Sequence, residues 1–194
     1  ELMKQLFFDS CRLGLAQTDL NSVEPTIRNA DIVTFDISAL RHSDAPGNGN
    51  ATPNGFYGEE ACQMARFAGL SDKLSSIGFF EINPVFDRKD QTAQLLAQMI
   101  WYLIDGFYNR IIQRPASDPE AFTRYSVQLS GFDDGIVFFR HKITDRWWME
   151  VQCSDNIREQ YKSHYIVPCT QHDYNDACND EIPDRWWQAY QKLM

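Results

Sequence analysis

Two stretches decide the fold of this chain: Thr34-Phe35-Asp36-Ile37-Ser38-Ala39-Leu40 and, shortly after it, Asp44-Ala45-Pro46-Gly47. The first predicts a buried strand over 31–39 that runs into a long loop rich in Gly, Asn and Pro. In an open α/β sheet, ligands and catalytic groups gather beyond the carboxyl ends of the strands. A carboxylate there is costly to desolvate unless a cation or a hydrogen-bond donor meets it. Asp36 is therefore the first candidate site residue, and Ser38 is the second because alternate strand residues share a face.

The segments that follow alternate between helical and strand periodicity. Residues 59–68 have the apolar spacing of a helix, 76–82 reads as a strand, and 90–109 reads as a long amphipathic helix capped by Asp90. This alternation predicts an α/β fold, a parallel sheet with flanking helices. The strand over 76–82 delivers Glu81 to the same sheet edge as Asp36.

Several short motifs follow the first strand in a fixed order. They are Ala45-Pro46-Gly47, Thr52-Pro53-Asn54-Gly55-Phe56, Gly58-Glu59-Glu60, Glu81-Ile82-Asn83-Pro84, and Asp87 followed by Thr92-Ala93. With Thr34-Phe35-Asp36, this order resembles the ureohydrolase family, which includes arginase, agmatinase and formimidoylglutamase. The resemblance covers roughly residues 1–110 and implies the C-terminal half of an arginase-like three-layer fold.

The resemblance also implies a chemistry. The family binds two Mn²⁺ ions through an Asp-x-Asp strand and other oxygen ligands, and hydroxide from this centre attacks a guanidine or amidine carbon. Asp36 matches a metal ligand, and Glu81 matches the position that receives the positively charged group of a small amidine or guanidine substrate. Two other interpretations stay open: loop amides satisfy Asp36, or Glu81 pairs with Arg41.

The sequence departs from the family pattern at the metal motif. Ser38 stands at the position of the second aspartate, and Arg41-His42 stands where the family has Asp-Pro. His42 or Asp44 is a candidate replacement ligand. The family's Gly-Gly-Asp-His and Asp-Ala-His-x-Asp motifs do not occur in the sequence, so we expect it to be the C-terminal portion of a longer protein.

These observations lead to two functional hypotheses. The first is a part of a metal-dependent amidinohydrolase, nearest to formimidoylglutamase. The second is a degenerate ureohydrolase fold that has lost its metal and binds a ligand or a protein. Asp36 and Glu81 favour the first hypothesis, whereas Ser38 and the Arg41-His42 pair favour the second. We expect this chain alone to bind Mn²⁺ weakly, because one carboxylate is too few for a hard divalent cation.

Composition restricts the other classes of function. The 194 residues are 43% hydrophobic, and the net charge of −9 disfavours nucleic-acid binding, which depends on neutralising phosphates. No apolar run approaches the roughly 18 residues of a membrane span, so we expect no membrane partner. We further expect a cytoplasmic protein that can form a homo-oligomer. The five scattered cysteines contain no Cys-x-x-Cys pair and are expected to be buried thiols.

The pattern changes near Pro115. We expect residues 1–114 to form the α/β domain and residues 115–194 to form an accessory β-meander with helices packed on it. Its predicted strands are Tyr125–Leu129, Ile136–His141 and Trp147–Gln152, followed by a short apolar run that stops at Pro168. Predicted helices begin after Thr170 and at Asp184.

One short sequence occurs twice in this tail, as Asp145-Arg146-Trp147-Trp148 and as Asp184-Arg185-Trp186-Trp187. The two copies could present aromatic platforms to a ligand, with Arg stacked on Trp. Alternatively, the indole rings provide the large apolar surface that a small appendage needs for its own core. The second interpretation is the favoured one.

Overall fold

The computed structural model describes residues 10–50, 52–131, 135–154, 156 and 165–193. The chain divides into two compact units, one over Cys11–Ile112 and another that includes Gln113–Met194. They are called the N-terminal and the C-terminal unit below.

Two parallel strands form the sheet of the N-terminal unit. Its elements are α1 (Leu13–Thr18), α2 (Glu24–Arg28), β1 (Ile32–Asp36), α3 (Gly58–Leu70), β2 (Ser76–Phe80) and α4 (Gln91–Tyr108). β1 and β2 pair in parallel from Ile32 opposite Ser76 to Asp36 opposite Phe80. Parallel neighbours need a crossover connection, and α3 provides it. The predicted alternation of strands and helices is confirmed.

Helices α3 and α4 approach each other closely where both carry glycine. A Cβ atom added to Gly69 would lie 2.2 Å from the carbonyl oxygen of Leu103, and one added to Gly106 would lie 2.5 Å from that of Arg66. Alanines at the helical spacing, Ala61 and Ala65, continue this small-residue face of α3 and are fully buried. The same helix pair is joined by an ion pair of 2.8 Å between Arg66 and Asp105.

The core of the N-terminal unit consists of apolar residues from the turn and loop that follow β1 and from the two long helices, with Phe35 of β1 and Phe79 of β2 packed against it. Its buried members are Ile37, Leu40, Ala45, Ala61, Cys62, Ala65 and Met99. The remaining face of α4 is exposed, including Trp101 at 63% and Tyr108 at 82% of their surface. No helix within the described ranges is both long enough and apolar enough to cross a membrane.

The C-terminal unit contains an antiparallel sheet in the order β3-β4-β5-β6, with helices α5 and α6. Its elements are β3 (Phe122–Val127), β4 (Ile136–His141), β5 (Trp147–Glu150), β6 (Ile166–Cys169), α5 (Gln171–Cys178) and α6 (Asp184–Leu193). The predicted antiparallel appendage is therefore confirmed. The turn predicted over 131–135 falls mainly on residues 132–134, which lie outside the described part of the chain.

The prediction that the last apolar run stops at Pro168 is wrong. β6 continues through Pro168, which lies opposite Trp148, to Cys169. A proline lacks the N–H group of a sheet ladder, but β6 is the last strand in the sheet order and an edge strand tolerates it.

The repeated tryptophans build the core of the C-terminal unit. Trp147 stacks on Tyr125 at a ring separation of 5.4 Å and on Tyr174 at 4.9 Å. Trp186 is fully buried, and its indole N–H donates to the carbonyl oxygen of Glu150 at 3.0 Å. Trp187 is the more exposed member, at 42%. These contacts favour the structural interpretation of the repeat.

Candidate functional site

Asp36 and Glu81 lie at the carboxyl ends of adjacent parallel strands. Asp36 is the last residue of β1 and pairs with Phe80, the last residue of β2, so that Glu81 follows directly. Both side chains are exposed to solvent. The prediction that Asp36 and Glu81 lie at the carboxyl ends of adjacent strands is confirmed. This edge of the sheet is where ligands bind in open α/β folds.

The predicted relation between Asp36 and Ser38 is wrong. β1 ends at Asp36, and Ile37–Ala39 form a 3₁₀ turn, so Ser38 does not share a strand face with Asp36. Instead, the Ser38 backbone N–H donates to Oδ1 of Asp36 at 2.8 Å. The carboxylate thus caps the turn that follows its own strand, as aspartates often do. One loop amide therefore occupies Oδ1.

Glu81 has an unusual backbone conformation. Its φ angle of 62° lies in the left-handed region, which few residues other than glycine adopt. The predicted strand over 76–82 ends at Phe80 for this reason, because a left-handed residue breaks the extended ladder. Strained backbone of this kind concentrates at binding and catalytic sites, where surrounding structure must hold it in place.

Hydrogen bonds around Glu81 join three of the sequence motifs, namely those that contain Gly47, Asn83 and Thr92. The Asn83 N–H donates to the Gly47 carbonyl oxygen at 2.7 Å, and the Gly47 N–H donates to Oγ1 of the buried Thr92 at 2.7 Å. A Cβ atom on Gly47 would lie 2.8 Å from that hydroxyl oxygen and 2.9 Å from Cβ of Asp87. Only glycine permits this approach. The segment after Glu81 is thus fixed both to the loop and to α4.

Asp87 caps helix α4 in place of the predicted Asp90. Its two carboxylate oxygens accept hydrogen bonds from the backbone N–H groups of Thr92 at 2.8 Å and Ala93 at 2.9 Å, whereas Asp90 makes no such bond. Desolvation by itself raises the pKa of Asp87, but these hydrogen bonds outweigh it and lower the pKa below its usual value.

The loop after β1 is held to the start of α3. Isolated parallel bridges join Leu40 to Phe56 and Arg41 to Thr52. Gly55 lies against this backbone so closely that an added Cβ would be 2.5 Å from the Arg41 nitrogen. The two ends of the long loop are therefore held against each other beside the end of β1.

The two candidate replacement ligands have different environments. Oδ2 of Asp44 accepts the backbone N–H of Gly58, the first residue of α3, at 2.9 Å, and Oδ1 accepts the Ser43 hydroxyl at 2.8 Å. Asp44 therefore satisfies an orphan N–H group at a helix start. His42 is exposed, and its backbone N–H donates to Thr52. Within the described residues, no three His, Cys, Asp or Glu side chains converge as a metal-binding group.

Arg41 contacts an aromatic ring. Its guanidinium carbon lies 3.4 Å from the centroid of the Tyr57 ring, the geometry of a cation–π contact. Neither the hydrogen bonds nor the ion pairs of the described residues join Arg41 to Glu81. No sequence pattern predicts this stacking, because residues 41 and 57 belong to opposite ends of an irregular loop.

A family model described as the arginase family matches residues 10–105, the region that contains all of these contacts. This segment belongs to the arginase family. A formimidoylglutamase from Staphylococcus aureus (strain MRSA252) is similar to it, with 27% identity over 101 residues that span 51% of this chain and 32% of the relative. The chain thus spans about a third of the length of the curated relatives it matches.

A solved formimidoylglutamase structure shares the fold of the arginase-family segment. The structure of formimidoylglutamase from Bacillus subtilis matches with a TM-score of 0.53 and 18% identity, over 57% of this chain and 37% of that one. A Trypanosoma cruzi formiminoglutamase solved with Mn²⁺ has 25% identity and a TM-score of 0.40, over 41% of this chain and 27% of that one.

The donor chemistry at the strand ends does not fit a two-manganese centre by itself. Mn²⁺ prefers several hard, anionic oxygen ligands. Asp36 provides one carboxylate, of which Oδ1 already accepts an amide hydrogen, and Ser38 provides a neutral hydroxyl. Asp44 is engaged at the start of α3. A binuclear centre in this arginase-family segment would need further carboxylate or imidazole ligands.

Proposed function

We propose that this chain is the C-terminal part of a ureohydrolase-type amidinohydrolase that hydrolyses a C–N bond of a linear amidine or guanidine, with a substrate like that of formimidoylglutamase. The observation that carries the proposal is the placement of Asp36 and Glu81 at adjacent carboxyl ends of β1 and β2. The arginase-family match over 10–105 supports it.

Glu81 is proposed to bind the cationic amidinium group of the substrate. Its carboxylate is exposed at the strand end, and the described residues make no ion pair with it. The Asn83–Gly47 hydrogen bond holds the segment after it, which limits the conformational freedom lost on binding. A positioned anion of this kind orients an amidine for attack at its carbon.

Asp36 is proposed as one ligand of the Mn²⁺ centre. Oδ1 is engaged by the Ser38 amide, and Oδ2 is the atom left for a metal. The other donors around Asp36 do not fit two ions. We therefore propose that Asp36 and Glu81 provide negative charge and position the substrate, and we assign them no further step of the reaction.

Hydrolysis tests the catalytic proposal directly. The protein, supplied with Mn²⁺, is assayed for release of formamide from N-formimidoylglutamate and of urea from agmatine. Glu81→Gln keeps the side-chain shape and removes the charge, so we expect kcat/KM to fall about tenfold or more. Glu181→Gln is the matched control, an exposed glutamate of the C-terminal unit. Equal rates in both variants would contradict the role of Glu81.

The alternative is a non-catalytic protein with a degenerate ureohydrolase fold. Two observations favour it, the neutral Ser38 beside Asp36 and the cationic Arg41 in the adjoining loop. Calorimetric titration with Mn²⁺ separates the two functions. We expect Ser38→Asp to bind more tightly than the natural protein, because it restores a second anionic oxygen ligand. Tight binding of two ions by the natural protein would show that Ser38 is no defect, whereas negligible binding by both proteins would favour the non-catalytic function.

A further inference from the structure

Glu81 lies between two fixed points of the chain. Phe80, just before it, is held in the β1–β2 ladder, and the N–H of Asn83 donates to the carbonyl oxygen of Gly47 at 2.7 Å. Glu81 and Ile82 join these two points, and Ile82 packs against the core of the N-terminal unit. The turn therefore falls on Glu81, whose φ angle is 62°. A residue with a Cβ atom adopts this left-handed conformation only at an energetic cost, so the surrounding contacts must maintain it.

The hydroxyl group of Thr92 makes the contact that fixes Gly47. Thr92 is fully buried, and its Oγ1 accepts the Gly47 N–H at 2.7 Å. Without this hydroxyl group, the Gly47 N–H would lose the acceptor that it has in the folded chain, and a buried donor left unpaired is costly. Thr92 therefore stabilises the position of the Gly47 backbone, which in turn holds Asn83.

The segment between Asn83 and Thr92 is closed into a ring by further hydrogen bonds. The Asp87 N–H donates to the carbonyl oxygen of Pro84 at 3.2 Å, and Oδ1 of Asp87 accepts the N–H of Thr92 at 2.8 Å. Thr92 thus bonds to Gly47 through its side chain and to Asp87 through its backbone. It connects the loop that follows β1 with the segment that follows β2.

We propose that Thr92 is a positioning residue for Glu81, which it holds in the left-handed conformation through Gly47 and Asn83. This inference rests on the proposed function, in which the Glu81 carboxylate binds the amidinium group of the substrate, and it deepens that function. Rotation of the Glu81 backbone out of the left-handed region would carry the carboxylate away from its place at the end of β2. Thr92 acts on the substrate only through the backbone of Glu81.

The left-handed backbone of Glu81 can be measured with two variants at that position. Glu81→Gly should have an unfolding equilibrium constant about fivefold smaller than that of Glu81→Ala, because glycine adopts positive φ angles without steric cost. Urea unfolding of both variants gives this ratio. Asp180→Gly and Asp180→Ala are the matched control pair, because Asp180 of the C-terminal unit also has a left-handed backbone, with a φ angle of 66°.

Thr92→Val tests whether Thr92 maintains this conformation. Valine keeps the shape of threonine but lacks the hydroxyl group, so the ratio at position 81 should fall from about fivefold to less than about twofold. The ratio at position 180 should not change. Thr92→Ser keeps the hydroxyl group and should keep the full ratio at position 81. If Thr92→Val lowers stability but leaves the ratio at position 81 unchanged, Thr92 only stabilises the fold and the proposal is wrong.

A measurement on the natural protein avoids dependence on the folding of the variants. The amide hydrogens of Gly47 and Asn83 should exchange with solvent with protection factors within about tenfold of each other, because one opening of the ring releases both. Protection at Asn83 that is more than about tenfold below that at Gly47 would show that the Asn83 bond opens without the Thr92 bond. That result would overturn the proposal.

Enzyme kinetics separates the failure of this inference from the failure of the proposed function. If the protein hydrolyses an amidine, Thr92→Val should lower kcat/KM about tenfold in the natural protein but not in Glu81→Gln, since both changes act through one carboxylate. An equal loss in both backgrounds would reject the positioning role and leave the enzyme intact. Coupling between positions 81 and 92 in the unfolding measurements, together with no hydrolysis of any amidine, would leave the positioning role intact and reject the enzyme.

Discussion

The backbone N–H of Asn83 donates a hydrogen bond of 2.7 Å to the carbonyl oxygen of Gly47. This bond connects the loop that follows β1 to the segment that follows β2, and each segment begins next to one of the two candidate carboxylates. The same glycine donates its own N–H to Thr92 in α4. The position of Glu81 therefore depends on contacts made by the backbone of Gly47.

Gly47→Ala should destabilise the N-terminal unit by about 1–3 kcal/mol, because the new methyl group would lie 2.8 Å from Oγ1 of Thr92 and overpack a buried contact. Gly49→Ala is the control in the same loop, where the nearest atom to an added Cβ is 3.8 Å away. Urea unfolding of both variants measures the difference. Equal loss of stability would show that the close approach at Gly47 has no energetic importance.

Substitution of the glycines between α3 and α4 should separate the two helices. Gly69→Ala and Gly106→Ala each direct a methyl group at backbone atoms, 2.2 Å and 2.5 Å away, which cannot rotate aside. We expect a loss of at least about 1–3 kcal/mol for each. Gly14→Ala in α1 meets no atom within 4 Å and should instead stabilise slightly, because alanine favours a helix. Thermal unfolding monitored by circular dichroism checks the order of the three variants.

Asp87→Asn should destabilise helix α4 by about 1 kcal/mol, because a neutral amide replaces the carboxylate that accepts two backbone hydrogen bonds. The folded-state pKa of Asp87 is lowered, so its stabilisation is present above the usual carboxyl pKa of 3.8. It is lost as the pH falls from there through the folded-state value. Asp90→Asn is the control, since Asp90 makes no cap bond. An unchanged acid-unfolding midpoint in Asp87→Asn would contradict this assignment.

His141 should make the C-terminal unit less stable in mild acid. Burial lowers its folded-state pKa below 6.5, assisted by Arg146 and opposed by Asp118. Its Nδ1 accepts hydrogen bonds from the Thr144 N–H and is an acceptor only when unprotonated. The unfolded state therefore binds the proton more readily, and stability falls as the pH drops below about 6.5. The slope of unfolding free energy against pH should be smaller in His141→Gln. A backbone hydrogen bond and Asp176 raise the pKa of the exposed His172, so that His172→Gln should make the slope steeper.

Local patterns account for most of the fold prediction. Hydrophobic periodicity, turn residues and cap residues act over a few neighbours along the chain. They predict the parallel pair β1–β2, the helices that begin near Gly58 and Gln91, and the capping of α5 by Thr170. The adjacency of Asp36 and Glu81 follows as well, because parallel strands present the same ends on one edge. The Mn²⁺ and substrate roles of these residues stay predictions.

Only the tertiary structure decided which partner each polar side chain has. The amide of Ser38 binds Asp36, Asp44 binds the start of α3, and Arg41 stacks on Tyr57. A loop of glycine, asparagine and proline can bring many different residues together, and its own sequence carries no periodicity that selects among them. The partners of these side chains are determined when Gly47 and Gly55 pack against backbone and side chains far away in sequence. Such contacts form only in the folded chain.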